Sequence, residues 1–95
     1  MNKEIGKVIK EVRESKGIKQ IFIAEKAGIS NRYLSAIESG TKKPTSETIK
    51  KIAEALGVTE FYIYLEFVGQ NAPENDEKTK ELKTIVELFK ESALA

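Results

Sequence analysis

Apolar residues recur at the spacing of an α-helix along most of this 95-residue chain, and the first four segments with that spacing each end at a glycine. The first segment follows an i, i+3, i+4, i+7 pattern, which gathers its apolar side chains on one side of a helix. These residues are Ile5, Val8, Ile9 and Val12. Short helices with one apolar stripe are not stable alone and must pack together. The pattern therefore predicts an all-α fold.

The sequence predicts six helices, most of them preceded by a residue suited to an N-cap. Their expected ranges are 3–16, 20–27, 31–38, 46–56, 60–68 and 77–92. The expected caps are Ser30, Thr45 or Ser46, Thr59 and Asp76. Residues 69–75 are polar and include Gly and Pro, which indicates a linker. We thus expect a domain of residues 1–68, the linker 69–75 and a C-terminal helical segment, residues 76–95.

The fifth segment is ambiguous, because residues 61–68 are rich in the β-branched and aromatic side chains that favour strands. The segments around it are helical, so a strand here has no neighbour to pair with. We therefore predict a helix at this position.

The chain contains no cysteine, histidine or tryptophan. The lack of His and Cys removes the usual catalytic bases, nucleophiles and metal ligands. Carboxylates such as Glu11 and Glu14 fall on a predicted solvated face, without the apolar pocket that acid–base catalysis needs. We expect a protein that is not an enzyme and that uses no metal or cofactor.

No apolar run approaches the roughly 18 residues that a membrane-spanning helix needs. The N-terminal residues carry acidic side chains and lack the apolar core of a signal peptide. These features predict a cytoplasmic protein with no membrane partner.

Charge is divided unevenly between the two halves of the chain, although the net charge is only +1. Residues 1–51 hold twelve Lys or Arg and six Glu, whereas residues 52–95 hold four Lys and nine Asp or Glu. A basic half of this kind indicates a surface for an anionic partner such as nucleic acid. Chance clustering of surface charges is the alternative.

The helices predicted at 20–27 and 31–38 are joined by only three residues, a spacing typical of the helix-turn-helix motif. Ala24 is small enough for the two helices to cross closely, and Gly28 permits the sharp reversal. In this motif the second helix presents its N-terminal and outer residues to the major groove of DNA. Short helix pairs are also common in other all-α proteins, so the spacing alone leaves the function open.

Four segments together resemble the Cro/phage-repressor helix-turn-helix family of bacterial and phage transcription regulators, also called the Xre family. They run from Ile5 to about Tyr64 and read IGKVIKEVRESKGIKQ, IAEKAGIS, YLSAIESG and KKPTSETIKKIAEALGV. The second helix of the pair is also similar to that of small restriction–modification controller proteins. The resemblance implies a lambda-repressor-like domain of five helices that binds a two-fold DNA operator as a homodimer.

The resemblance also implies which residues contact DNA. Base contacts are expected from Asn31, Arg32, Ser35 and Ala36. Arginine forms a bidentate pair with guanine, asparagine does so with adenine, and alanine can touch the thymine methyl group. Phosphate contacts are expected from Gln20, Ser30, Tyr33, Ser39, Lys42 and Lys43. Alternatives stay open for several of these residues. The Tyr33 ring could cover the helix instead, and Asn31 and Arg32 could touch only phosphate. Gln20 and the two lysines could simply be exposed to solvent.

Two further inferences come from comparing the chain with the family pattern. Arg13 and Glu38 stand where the family often places an ion pair that orients the second helix, so we treat them as a structural pair. Ile21 and Phe22 depart from the pattern, because polar residues are usual after Gln20. We expect both apolar side chains to be exposed, with a role still open between covering the first helix, a second subunit and DNA.

The C-terminal helix has an apolar stripe and must pack on its own domain or on a partner subunit. We predict that it and the aromatic fifth segment form a dimer interface, because two-fold DNA sites require two copies. The residues nominated for this interface are Phe61, Tyr64, Leu65, Leu82, Ile85, Val86 and Phe89. Folding back within one subunit is the alternative.

Taken together, these features predict a sequence-specific, dimeric transcriptional regulator, and more specifically a repressor, with double-stranded DNA as its partner. The rival interpretation is an antitoxin that regulates its own synthesis and whose C-terminal segment binds a partner toxin.

Overall fold

A computed structural model describes residues 4–71, 80–81 and 84–88 of the chain. Its helices are α1 (Ile5–Ser15), α2 (Gln20–Ala27), α3 (Asn31–Ser39), α4 (Ser46–Leu56) and α5 (Glu60–Asn71). Residues 80–81 and 84–88 are also helical, and no β-strand occurs in the described ranges. The predicted all-α fold of five helices and a C-terminal helix is confirmed.

Side-chain caps fix where three of the helices begin. Ser30 Oγ accepts a hydrogen bond from the Tyr33 N–H at 3.0 Å, and Thr45 Oγ1 accepts one from the Thr48 N–H at 3.1 Å. Thr59 Oγ1 does the same for the Tyr62 N–H at 3.0 Å. Each bond satisfies an N–H group that the first turn of a helix leaves without an intrahelical partner.

The fifth segment is a helix, as predicted, but it extends three residues further than expected, through Asn71. Ile63 is fully buried in the core, and the ring of Phe67 packs against the same core. Gly69 lies inside this helix, and its lack of a side chain permits a close approach of the C-terminal helix: a Cβ added to it would stand 3.1 Å from Val86 Cγ1. Residues 72–75 of the predicted linker lie outside the described residues.

Val86 was predicted to be a dimer-interface residue. It is only 4% exposed within its own chain, where it packs against Gly69. Ile85 and Leu88, in the same described stretch of residues 84–88, are exposed. At Val86 the C-terminal helix therefore contacts α5 of its own chain, and a part for this helix in a dimer stays a prediction.

The core is a single apolar cluster that joins all five helices. α1 packs against α3 and α5, α2 packs against α3 and α4, and α4 packs against α5. The largest fully buried side chains come from every helix: Val8, Ile9, Ile23, Leu34, Ile37, Ile52 and Ile63. No helix in the described part of the chain is long and apolar enough to cross a membrane.

The crossing of α1 and α3 brings two backbones into contact. Gly6 is buried, and a Cβ added to it would collide with the carbonyl group of Ile37 on α3. No side chain can move aside to relieve this collision, because the neighbouring atoms belong to the backbone. The distance between α1 and α3 therefore depends on glycine at this position.

We expect Gly6→Ala to destabilise the fold by about 1–3 kcal/mol or more, because the extra methyl group forces the two helices apart. For a domain of this size each kcal/mol lowers the melting temperature by about 4–8 °C, which thermal unfolding followed by circular dichroism measures. Lys10→Ala, at an exposed position of the same helix, is the control. Equal melting temperatures for the two variants would contradict the prediction.

Candidate nucleic-acid interface

The turn between α2 and α3 holds the two helices at a fixed angle. Gly28 ends α2 in the left-handed conformation, with φ at 72°, which costs glycine no steric strain. The next residue, Ile29, donates its N–H to the Ala24 carbonyl at 3.0 Å and packs against the core. Ala24 itself is buried. The helix-turn-helix geometry predicted from the spacing is therefore present.

A buried ion pair joins α1 to the end of α3. Arg13 Nε donates to Glu38 Oε2 at 2.8 Å, and Arg13 Nη2 donates to Glu38 Oε1 at 2.9 Å. The two side chains are only 11% and 3% exposed. The pKa of Arg13 is raised, chiefly by its hydrogen bond with Glu38, while burial opposes the rise. The hydrogen bond therefore favours the charged form of the Arg13 guanidinium despite its burial.

Two further hydrogen bonds complete this network. Arg13 Nη1 donates to the backbone carbonyl of Ile18 at 2.7 Å, and Gln20 Nε2 donates to Glu38 Oε1 at 3.1 Å. A carboxylate in the last turn of a helix is unfavourable beside the negative end of the helix dipole, and the guanidinium offsets that cost. The network ties α1, α2 and α3 together and fixes how α3 is rotated about its own axis.

With its inner side held in this way, α3 presents its other side to solvent. Asn31, Arg32 and Ser35 are exposed, and Ala36 is half-buried. Arg32, Ser35 and Ala36 are spaced i, i+3, i+4 and so share one face of the helix, and Asn31 lies one turn before Ser35. The four residues predicted to contact bases thus form one continuous surface.

The loop after α3 stays close to the end of that helix. The N–H groups of Thr41 and Lys42 both donate to the Ala36 carbonyl, at 2.9 and 3.1 Å. Ser39 Oγ also donates to that carbonyl, at 3.1 Å, and lies 2.8 Å from Thr41 Oγ1. Lys42 and the adjacent Lys43 are exposed. The loop therefore holds two cationic side chains just beyond the exposed surface of α3.

The other residues predicted to contact phosphate have structural contacts of their own. Ser30 is the N-cap of α3, and Gln20 is half-buried against Glu38. Tyr33 is half-buried and packs against the core. These contacts hold each side chain at the edge of the exposed α3 surface.

Sequence reasoning missed two parts of this arrangement. The Ile18 carbonyl, which accepts from Arg13, is a backbone group and has no sequence signal. The second is the hydrogen bond between the hydroxyl groups of Ser39 and Thr41 at the end of α3. The only signal for it in the sequence was that Thr41 directly follows Gly40, which ends the helix. The expected exposure of Ile21 and Phe22 is confirmed, at 57% and 59%.

The residues predicted to form the dimer interface differ in how far they are exposed to solvent. Phe61 is 54% exposed, whereas Tyr64 and Leu65 are half-buried. Val68, the last residue of the segment predicted to form the interface, is 45% exposed one further turn along α5. Ile85 is exposed. Leu82 and Phe89 lie outside the residues whose side chains the structure describes.

A family model for helix-turn-helix proteins matches residues 9–63, a range that runs from α1 into α5. The match covers more than half of the chain and includes the turn, the buried network and the exposed surface of α3. The chain belongs to this helix-turn-helix family of DNA-binding transcriptional regulators. The resemblance seen in the sequence is thereby confirmed.

Individual relatives agree with this assignment. An HTH-type transcriptional regulator of Mycobacterium tuberculosis is 37% identical over 60 residues, which are 63% of this chain and 43% of that protein. The immunity repressor protein of Bacillus phage phi105 is 37% identical over 54 residues, 57% of this chain and 38% of the repressor. The antitoxin PezA of Streptococcus pneumoniae is 33% identical over 87 residues, 92% of this chain and 52% of PezA. The chain therefore spans only about half, or less, of the length of these three relatives.

We expect Glu38→Ala to destabilise the fold by about 3–5 kcal/mol, because it leaves the Arg13 guanidinium buried without its partner. The matched control is Glu47→Ala, which removes a surface pair with Lys51 at 3.7 Å whose side chains are largely exposed. Such a pair contributes at most about 1 kcal/mol. Denaturant unfolding measures the loss of unfolding free energy for both variants. A Glu38→Ala variant as stable as the wild type would show that the pair does not hold α3.

Proposed function

We propose that this protein is a sequence-specific repressor that inserts α3 into the major groove of double-stranded DNA. The observation that carries the proposal is the exposed surface of α3, held in one orientation by the buried pair of Arg13 and Glu38. A helix that reads base edges must be held rigidly, because hydrogen bonds to bases tolerate little displacement.

Base recognition is assigned to the start and outer side of α3. Arg32 offers a guanidinium fork to guanine O6 and N7, and Asn31 offers an amide to adenine. Ser35 can donate to or accept from a base, and Ala36 can only touch a thymine methyl group. Each bidentate pair contributes about 1–3 kcal/mol of discrimination between bases.

Phosphate binding is assigned to the residues that border this surface. Lys42 and Lys43 supply charge from the loop after α3, and Ser39 lies beside them. Gln20 keeps a second amide hydrogen for a phosphate, since its Nε2 uses one on Glu38. The hydroxyl groups of Ser30 and Tyr33 complete the set. These contacts give affinity that falls with salt and carry no sequence information.

Dimerisation is assigned to α5 together with the C-terminal helix. Phe61, Leu65 and Val68 follow an i, i+4, i+7 spacing on α5, and the two outer ones are about half exposed. Exposed apolar residues on one side of a helix are typical of an interface. We assign to the same interface the other residues that the sequence nominates, Tyr64, Leu82, Ile85 and Phe89. Two copies related by a two-fold axis then bind two half-sites.

Selection of duplexes from a random library, at physiological salt, tests the function directly. We expect enrichment of an inverted repeat whose half-sites are about 10 base pairs apart, or a multiple of that distance. Sedimentation equilibrium on the free protein tests the dimer independently. Weak, salt-sensitive binding without an enriched sequence would refute sequence-specific recognition.

Two substitutions separate base contacts from phosphate contacts on the selected duplex. Arg32→Ala should relax the preference at one base position, whereas Lys43→Ala should weaken binding to every duplex and lower the salt slope by about one. Lys50→Ala, at an exposed position on α4, is the control and should change neither. If the first two variants behaved alike, the assignment of α3 to bases and of the loop to phosphates would be wrong.

A second candidate function is that of an antitoxin, and the similarity to PezA favours it. That alignment includes 87 of the 95 residues, so it extends beyond α5 into the C-terminal helix. In this interpretation the helix-turn-helix domain regulates synthesis, while the C-terminal segment binds and neutralises a toxin protein.

Co-expression with the neighbouring gene of the source genome distinguishes the two candidates. An antitoxin should restore growth that the neighbour alone arrests, and a variant shortened after residue 75 should fail to do so while still binding DNA. Normal growth with the neighbour expressed alone would leave the repressor as the function.

A further inference from the structure

A cavity of about 380 Å³ opens between the start of α1, the loop after α3 and the end of α5. Its apolar lining comes from Ile5, Pro44 and Phe67, all of them half-buried. The backbone at Gly6 forms part of the wall. This volume lies within the range of small-molecule sites and far above the space that one water molecule needs.

Charged side chains line the same cavity. Lys42 and Lys43 contribute two ammonium groups, and neither forms an ion pair with a carboxylate of the described residues. Glu4 contributes one carboxylate on the side nearest Gly40, where an added Cβ would stand 3.1 Å from Glu4 Oε2. Positive charge is therefore in excess beside an apolar wall.

We propose that this cavity binds a small organic anion with an apolar body, of which an aromatic carboxylate is the simplest example. The carboxylate pairs with Lys42 and Lys43, where charge-assisted hydrogen bonds are available. The ring packs against Ile5 and Pro44 and meets the Phe67 ring in the offset or edge-to-face geometry that aromatic pairs prefer. A neutral molecule of the same shape lacks the first of these contacts.

Binding of such an anion regulates the site described above, and this step rests on the proposed DNA-binding function. The two lysines that hold the carboxylate are the two assigned to DNA phosphates. A bound anion therefore removes two cationic contacts from the DNA interface, and each ligand weakens the binding of the other by the same factor. The anion acts as an inducer that releases the operator.

Nuclear magnetic resonance locates the site without involving DNA. The ¹⁵N-labelled protein is titrated with sodium 2-naphthoate, and with neutral 2-naphthamide as the control of equal shape. We expect saturable shifts at the amides of Ile5, Gly6 and Phe67 with naphthoate and weaker binding of naphthamide. Equal binding of the two compounds, or shifts confined to the exposed Ile21 and Phe22, would overturn the proposal.

Charge substitutions test the pairing from both directions. The double variant Lys42→Gln/Lys43→Gln should weaken naphthoate binding about tenfold or more, because it removes both charge-assisted contacts. Glu4→Gln should tighten binding, because it removes the carboxylate that the described lining of the cavity contains. Lys50→Gln is the control for a general loss of positive charge and should leave the affinity unchanged. An effect of Lys50→Gln as large as that of the double variant would refute a specific site.

Fluorescence anisotropy of the selected duplex tests the regulatory step. At ten times its own Kd, naphthoate should raise the apparent Kd for DNA about tenfold, compared with sodium chloride at equal ionic strength. Saturated binding at the cavity with unchanged DNA affinity would refute regulation. If the protein bound no duplex even without naphthoate, the proposed function would fail, and the resonance experiment would still decide whether the cavity is a site.

Discussion

The buried ion pair between Arg13 and Glu38 is the interaction on which the position of α3 depends. Removing two charges from water costs several kcal/mol for each ion, so such a pair is a weak source of stability. The pair acts mainly by restricting geometry, because the guanidinium must donate to both carboxylate oxygens and to the Ile18 carbonyl at the same time. Few rotations of α3 satisfy all of these bonds. The helix is thereby held in one orientation by directional contacts as well as by apolar packing.

Most of the fold follows from the sequence, because the apolar period and the caps act locally. Ile9, Leu34 and Ile52 are buried where their spacing predicts. The end of α5 was not predictable, since Gly69 and its polar neighbours carry the local signals of a linker. Its helical conformation accompanies a contact with Val86, which is distant in the sequence. Tertiary contacts of this kind leave no periodic pattern.

The exposed residues of the site, the buried ion pair and the cavity required different kinds of information to predict. Exposure of Asn31 and Arg32 follows from the burial of Leu34 and Ile37 on the other side of the same helix. The Arg13–Glu38 pairing required the family resemblance, because two residues 25 positions apart share no local signal. The cavity beside Lys42 required the structure itself, since the elements that form it come from three separate parts of the chain.

The contact between Gly6 and the Ile37 carbonyl joins one backbone to another, so the separation of α1 and α3 does not depend on the side chains of α3 that face outward. Those side chains can therefore be substituted while α3 keeps the same distance from α1. The helix thus divides two tasks between its parts: its backbone sets the packing against α1, and its outward side chains are open to substitution without compensating changes in the core.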